Sequence, residues 1–156
     1  VELSPLAVAQ FFAEHQLTPH IDQADAHARS SAAGIAIIQS DIFDLDPRVF
    51  ADCRAIYDRA ALIALPAPER QRYARHVYGN LPPGCRGLLI TFEYPPDEMQ
   101  GPPFAVDEAE VRRLLADDWQ IDLLTRRDIL SDEPHFKTRG VTALATAVYR
   151  LERRAS

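Results

Sequence analysis

The segment Ala55–Pro66 places the strongest constraint on the fold of this chain. Within it a short apolar run ends in the charged pair Asp58 and Arg59, and a second apolar run follows at once. This pattern is typical of a buried parallel strand that carries charged side chains to its carboxyl end before the chain turns into a helix. Open α/β sheets bind their ligands at that end of the strands. The segment therefore predicts an α/β fold with a ligand site near Arg59.

Composition restricts the class of protein. The 156 residues are 47% apolar and 26% charged, which is the balance of an ordinary globular domain. We expect a single domain over residues 1–156, because two domains would be cramped at this length. The net charge of −6 argues against a nucleic-acid partner. The sequence shows neither an apolar run long enough to span a membrane nor a signal segment, so we expect a cytoplasmic protein, a monomer, without a membrane partner.

The cysteines and histidines predict no disulfide and no metal site. Cys53 and Cys85 are far apart and lack the C-x-x-C spacing, so two buried free thiols are the simplest interpretation. The five histidines are scattered without metal-ligand spacing, and we assign none of them to a metal.

Strand and helix patterns alternate along the chain. The polar segment from Thr18 to Gly34 predicts a loop or a weak edge hairpin, and Asp107 with Glu110 forms the pattern of a capping box at a helix start. Other patterns predict helices at about 5–16, 69–78 and 107–115, and strands at about 34–39, 53–57, 86–94, 119–124 and 142–151. The last two strands are close enough in sequence to form an antiparallel edge of a layered α/β sheet.

Five segments carry a more specific signal, namely Val1–Ser4, Asp41–Leu45, Tyr57–Pro66, Arg86–Thr91 and Gly101–Phe104. In order and spacing they resemble the bacterial thiopurine S-methyltransferase family, whose members use S-adenosylmethionine. The segment that ends in Pro66 and the Gly-Pro-Pro-Phe loop are the most specific. The resemblance implies an α/β fold with a Rossmann-like class I methyltransferase sheet, helices on both faces and an antiparallel carboxyl-terminal edge.

The family places a first strand, a glycine-containing cofactor loop and an aromatic-bearing helix before the position of Val1. We therefore expect a fragment, the carboxyl-terminal portion of a methyltransferase domain, with the amino-terminal strand and cofactor loop absent. In the implied sheet that strand lies beside the strand that ends at Tyr57. On this expectation residues 1–156 alone fold poorly, through unpaired strand edges, and do not turn over S-adenosylmethionine.

The resemblance also implies a cofactor site. Glu2 would accept hydrogen bonds from both ribose hydroxyls, because a carboxylate matches a vicinal diol. Asp41, Ile42 and Phe43 would flank the adenine, with Ile42 packed on its face. A solvated Glu2 at a strand end and an ordinary acidic turn at Asp41 are the alternative interpretations.

Arg59, Pro103 and Phe104 are the residues implied for the acceptor. Arg59 would contact the cofactor near the transferred methyl group, lower the pKa of the acceptor thiol and hold its ring. Phe104, with Pro103 and its neighbour Pro102, would form a rigid apolar wall over a flat aromatic acceptor. The alternatives are a structural Asp58–Arg59 arrangement at a helix start and a plain proline-rich turn. No catalytic residue is assigned, and His135 and Lys137 receive no role.

The function implied by the resemblance is methyl transfer from S-adenosylmethionine to a small aromatic or heterocyclic thiol, with selenium and tellurium compounds as further acceptors. Proximity of two bound reactants would supply most of the rate. A non-catalytic, truncated methyltransferase fold that acts as a binding or remnant domain is the alternative from another class. A nucleotide-binding α/β enzyme such as a dehydrogenase ranks last.

Overall fold

The computed structural model describes residues 1–24 and 27–155. The chain divides into two compact units, one formed by residues 1–46 and one that begins at residue 47. The expected single domain stays a prediction. In the described ranges no helix is long and apolar enough to cross a membrane.

The first unit joins one helix to a small antiparallel sheet. Helix α1 spans Pro5–Glu14, strand β1 spans His20–Ala24, β2 spans His27–Ala32 and β3 spans Ile35–Gln39. The sheet order is β1-β2-β3. Helix α1 begins after Ser4, whose hydroxyl accepts a hydrogen bond from the Ala7 amide at 3.3 Å, as an N-cap residue does. Strands β1 and β2 pair antiparallel. Of the two predictions for the segment from Thr18 to Gly34, a loop or an edge hairpin, the hairpin is therefore correct.

The second unit holds the larger sheet. Its elements in chain order are a 3₁₀ turn at Pro47–Phe50, β4 at Ala55–Asp58, α2 at Ala61–Ala64, α3 at Ala67–His76, a 3₁₀ turn at Tyr78–Asn80, β5 at Arg86–Glu93, α4 at Glu108–Leu115, β6 at Trp119–Asp128, α5 at Pro134–Thr138 and β7 at Ala145–Arg153. The sheet order is β4-β5-β7-β6. Strands β4 and β5 are parallel, and β7 is antiparallel to both of its neighbours. The predicted parallel pair and antiparallel edge are confirmed.

Strand β4 differs from the expected buried strand. Tyr57 is 64% exposed and Ala55 is also exposed, whereas Asp58 is only 3% exposed. The cause is position, because within the described residues β4 pairs with β5 alone and forms an edge of the sheet. An edge strand has one neighbour instead of two, so its side chains have fewer packing partners.

The two faces of this sheet differ in character. On one face, which we call the helix face, the side chains of β5 and β7 are fully buried: Leu89, Thr91, Ala147, Tyr149 and Leu151. On the other, the open face, Leu88 is exposed, while Ile90, Phe92, Thr146 and Val148 are half-buried. Because successive residues of a strand point to opposite faces, the alternation in β5 and β7 separates a packed side from a side that is free to bind a ligand.

Candidate acceptor site

An open cavity of about 940 Å³ lies on the open face of the sheet. It is lined by Tyr57, Arg59, Ala60, Ile63, Ala64, Ile90, Phe92, Pro102, Pro103, Arg127, Ile129, Asp132, Glu133, Thr146 and Val148. A concave, largely apolar surface with a few polar groups is the usual form of a small-molecule site. The cavity lies beside the carboxyl end of β4, where the sequence predicts a ligand.

Apolar side chains from two adjacent strands form the floor of the cavity. Ile90 stands opposite Val148, and Phe92 stands opposite Thr146, in the antiparallel register of β5 and β7. Directly opposed side chains on one face of a sheet are in contact distance, so these residues form a continuous surface. This apolar surface can pack against one face of an aromatic ring.

Asp58 organises the turn between β4 and α2. One carboxylate oxygen, Oδ1, accepts hydrogen bonds from the amides of Ala61 at 3.1 Å and Leu62 at 3.2 Å. The other, Oδ2, accepts a hydrogen bond from the hydroxyl of Tyr78 at 3.1 Å. Burial raises the pKa of Asp58, although these hydrogen bonds oppose the rise. Asp58 thus has the structural role that the sequence indicated for it.

Arg59 follows Asp58 and faces the cavity. Its side chain is exposed, and within the described part of the chain it forms no ion pair or hydrogen bond. Asp58 thus has the structural role at a helix start that the alternative interpretation gave to both residues, whereas Arg59 shows no such role among the described residues. The guanidinium remains available to a ligand in the cavity.

The proline loop contributes one wall of the cavity through Pro102 and Pro103. Phe104 is placed differently from the sequence prediction, because its ring packs against Gly101 and is absent from the cavity lining among the described residues. The Phe104 amide donates to the Ile63 carbonyl at 2.7 Å, and the Tyr94 hydroxyl donates to the Pro103 carbonyl at 2.7 Å. Phe104 therefore packs within the proline loop and supports Pro102 and Pro103 without lining the cavity itself.

A buried ion pair fixes Phe104 in turn. The guanidinium of Arg70 lies 5.7 Å from the centre of the Phe104 ring. Arg70 is 6% exposed and binds both carboxylate oxygens of Glu110, at 3.0 and 3.2 Å. Its third hydrogen bond goes to the carbonyl of Leu65 at 3.1 Å. Helices α3 and α4 and the proline loop are thereby joined on one side of the cavity.

Several residues of the cavity were not predicted from the sequence. Ile90 and Phe92 alternate with buried residues in the most regular strand pattern, and this alternation could have identified them. Arg127 had no such signal, because its orientation depends on an irregularity of β6. Two carboxylates, Asp132 and Glu133, also line the cavity, and Glu133 lies 3.3 Å from Nδ1 of His135.

The residues implied for the nucleoside lie together in the first unit. Glu2 forms a parallel bridge with Gln39, and the Ser40 amide donates a hydrogen bond to the Glu2 carbonyl at 3.1 Å. Asp41 therefore follows the end of β3 close to Glu2, and its carboxylate accepts a hydrogen bond from the Phe43 amide at 2.9 Å. One oxygen of Glu2 accepts from the Ser4 amide at 2.8 Å. The second oxygen has no recorded partner within the described ranges.

Neither thiol lies in the cavity. Cys85 is buried and Cys53 half-buried, and both are free, so the prediction of two buried thiols is correct for Cys85 only. Over the described residues there is no cluster of three or more metal-binding side chains.

Two solved structures have folds similar to this chain. A SAM-dependent methyltransferase from Methanosarcina mazei matches with a TM-score of 0.62 and 16% identity, over 99% of this chain and 81% of that chain. The cyclase SpnF matches with a TM-score of 0.58 and 14% identity, over 99% of this chain and 65% of that chain. Identities this low show the fold alone, which is the Rossmann-like methyltransferase fold that the sequence predicted.

Relatives with higher sequence identity identify the family. Curated thiopurine S-methyltransferases are 58% identical in Xanthomonas axonopodis pv. citri (99% of this chain, 71% of the relative), 54% identical in Bordetella pertussis (98% and 70%) and 52% identical in Nitrosomonas eutropha (99% and 70%). The family model described as thiopurine S-methyltransferase matches residues 1–154. The chain belongs to the thiopurine S-methyltransferase family.

Proposed function

We propose that this protein transfers a methyl group from S-adenosylmethionine to the sulfur of an aromatic or heterocyclic thiol. Family and fold support methyl transfer, and the cavity supports the choice of acceptor. The observation that carries the proposal is the apolar floor of Ile90, Phe92 and Val148 with the guanidinium of Arg59, unpaired among the described residues, at its edge. Such a surface accommodates a planar ring, and the cation is placed to attract a negatively charged sulfur.

The residues of the first unit fit the nucleoside end of the cofactor. Glu2 has one carboxylate oxygen without a recorded partner in the described ranges, which suits a ribose hydroxyl. Asp41 uses its carboxylate to hold the following turn, so the turn presents its backbone and the half-buried Ile42. We propose that Glu2 binds the ribose and that residues 41–43 flank the adenine. S-adenosylmethionine, when bound, supplies an electrophilic methyl group.

Arg59 acts on the acceptor by favouring its thiolate form. The thiolate is a far better nucleophile than the thiol, and a nearby cation lowers the pKa of a bound thiol because it stabilises the charged form. With both reactants bound, the thiol proton would leave to solvent, and the thiolate sulfur would bond to the methyl carbon as the bond from that carbon to the sulfonium sulfur breaks. The negative charge of the thiolate and the positive charge of the sulfonium cancel. Beyond this, the site contributes orientation, through the floor and the wall of Pro102 and Pro103.

The same arrangement extends to other chalcogen nucleophiles. Selenium and tellurium compounds attack a methyl group by the same displacement, and the apolar floor with Arg59 at its edge would accept them as it accepts a thiol. The alternative is a non-catalytic protein that keeps the fold as a binding domain. Monomeric state and cytoplasmic location stay predictions.

A matched pair of acceptors tests the proposal. The full-length protein is incubated with S-adenosylmethionine and either an aromatic thiol or the phenol of the same shape, and products are identified by mass spectrometry. We expect methylation at sulfur, with the phenol methylated far more slowly because it remains protonated near neutral pH. Binding of S-adenosylhomocysteine without methylation of any thiol or selenol would favour the non-catalytic alternative.

A further inference from the structure

We propose that Arg127 selects acceptors that carry an anionic group, such as a carboxylate, on the ring away from the thiol. This inference deepens the proposed function and rests on it, because it concerns the same cavity. It starts from an irregularity in strand β6 that changes which side chains face the acceptor.

A β-bulge reorients Arg127 onto the open face. Ile121 stands opposite Leu151 on the helix face, and plain alternation would place Arg127, six residues further on, on that same face. The register instead shifts between Leu123 and Thr125, so that Arg127 stands opposite Thr146 in the cavity. Bulges commonly redirect a side chain next to an active site.

The two neighbouring arginines of β6 have different environments. The guanidinium of Arg126 forms ion pairs with Glu93 at 2.8 Å and Glu108 at 3.0 Å, on the helix face. Arg127 has neither an ion pair nor a hydrogen bond to another described residue, although it lines the cavity. An exposed arginine without a protein partner contributes little to stability and is free to bind a carboxylate with two parallel hydrogen bonds.

Arg59 and Arg127, both unpaired within the described part of the chain, stand at opposite sides of the floor. Arg59 follows β4 and Arg127 belongs to β6, which are the two edges of the sheet order β4-β5-β7-β6. Three strand spacings of about 4.8 Å each separate these edges by about 14 Å at the backbone, and both side chains reach into the cavity. An aromatic ring on the floor would therefore present its thiolate to Arg59 and a second substituent to Arg127.

The carboxylates of the cavity limit how much negative charge an acceptor carries. Asp132 and Glu133 line the same space, and within the described residues neither forms an ion pair with Arg59 or Arg127. They would repel negative charge spread along the whole ring edge. A single anionic group within reach of Arg127 avoids them.

The test compares 4-mercaptobenzoate with the neutral 4-mercaptobenzamide, which has nearly the same shape. Values of kcat and KM for both are measured in the full-length protein and in Arg127→Gln, Arg127→Lys and Arg86→Gln. Arg86 is an exposed arginine of β5 outside the cavity lining, so its variant has the same charge change as Arg127→Gln. We expect the wild type to prefer the benzoate by roughly tenfold in KM, because a charge-assisted hydrogen bond is lost with the amide.

In Arg127→Gln this preference should disappear through KM with little change in kcat, Arg127→Lys should keep part of it, and Arg86→Gln should keep all of it. An unchanged preference in Arg127→Gln, or an equal loss in Arg86→Gln, would overturn the inference and leave the proposed function intact. Failure to methylate either thiol would overturn both.

Discussion

Two adjacent charged residues, Asp58 and Arg59, show how this chain separates structure from chemistry. Asp58 is buried, caps α2 and holds the hydroxyl of Tyr78. Arg59 is exposed and lines the cavity without a partner among the described residues. The fixed carboxylate holds the backbone from which Arg59 projects, while the exposed guanidinium itself is left to bind a ligand.

Arg59→Ala should reduce kcat/KM for an aromatic thiol by roughly tenfold or more, because a charge-assisted interaction with the thiolate is lost. The pKa of the bound thiol should rise without the cation, so the pH–rate profile should move to higher pH. Arg59→Lys should restore the activity only in part, since an ammonium lacks the planar fork. Equal kinetics in all three proteins would exclude Arg59 from the site.

Asp58→Asn should change how stability depends on pH. Burial raises the pKa of Asp58 above its ordinary value of 3.8. A group whose pKa is raised by folding contributes stability that is fully present below its unfolded pKa and is lost as pH rises through its folded pKa. Because asparagine does not titrate, the stability of the wild type relative to Asp58→Asn should fall as pH rises above about 4.

Urea unfolding of both proteins across that pH range measures the effect, with Asp122→Asn as a control. The pKa of Asp122 is lowered by its hydrogen bond from Arg150, so its contribution should grow as pH rises, which is the opposite sign. If the difference in unfolding free energy between the wild type and Asp58→Asn did not change with pH, the pKa of the Asp58 carboxyl would not be raised by burial.

At the scale of elements, local signals in the sequence predicted most of the structure. The N-cap at Asp107 is confirmed by the hydrogen bond from the Glu110 amide at 2.8 Å, and α4 starts at the next residue. The reciprocal half of the predicted capping box is not formed, because the Glu110 carboxylate binds Arg70 instead. Features that depend on distant pairing were not predictable. The exposure of β4 follows from its place at the sheet edge, and the bulge of β6 follows from its register with β7.

The candidate site was predictable only where a segment carries its own signal. Arg59 and Pro103 lie in the most specific segments of the family resemblance and both line the cavity. Phe104 lies in the same loop, but its ring turns towards Gly101, which a sequence pattern does not reveal. Arg127 carries no local pattern, since the bulge that redirects it arises from pairing with β7.

Gly101→Ala should disturb the wall of the cavity. A Cβ at this position would lie 2.5 Å from the Phe104 ring, closer than carbon atoms approach, so the ring and the loop must move. We expect a loss of about 1–3 kcal/mol in the free energy of unfolding and a higher KM for the thiol, because Pro102 and Pro103 move with the loop. Gly79→Ala is the control, because its nearest atom would lie 3.8 Å away. An unchanged KM in Gly101→Ala would mean that the loop does not contact the acceptor.

At the scale of the molecule, two separate compact units carry different parts of the proposed chemistry. Residues 1–46 hold the group proposed for the nucleoside, and the unit that begins at residue 47 holds the cavity proposed for the acceptor. Similarity to thiopurine S-methyltransferases extends over both, since the family match covers residues 1–154. Changes in the cavity should therefore alter acceptor kinetics and leave nucleoside binding in place.

The central claim is that the acceptor lies on the floor of the open face, and filling that floor tests it most directly. In Val148→Phe a larger side chain would occupy the floor, whereas Leu88→Phe places the same residue on the same face outside the cavity lining. Steady-state methylation of an aromatic thiol and calorimetric binding of S-adenosylhomocysteine are measured in both full-length variants. The account predicts that Val148→Phe raises KM for the thiol by roughly tenfold or more while S-adenosylhomocysteine still binds, and that Leu88→Phe retains both properties. Wild-type thiol kinetics in Val148→Phe would contradict it.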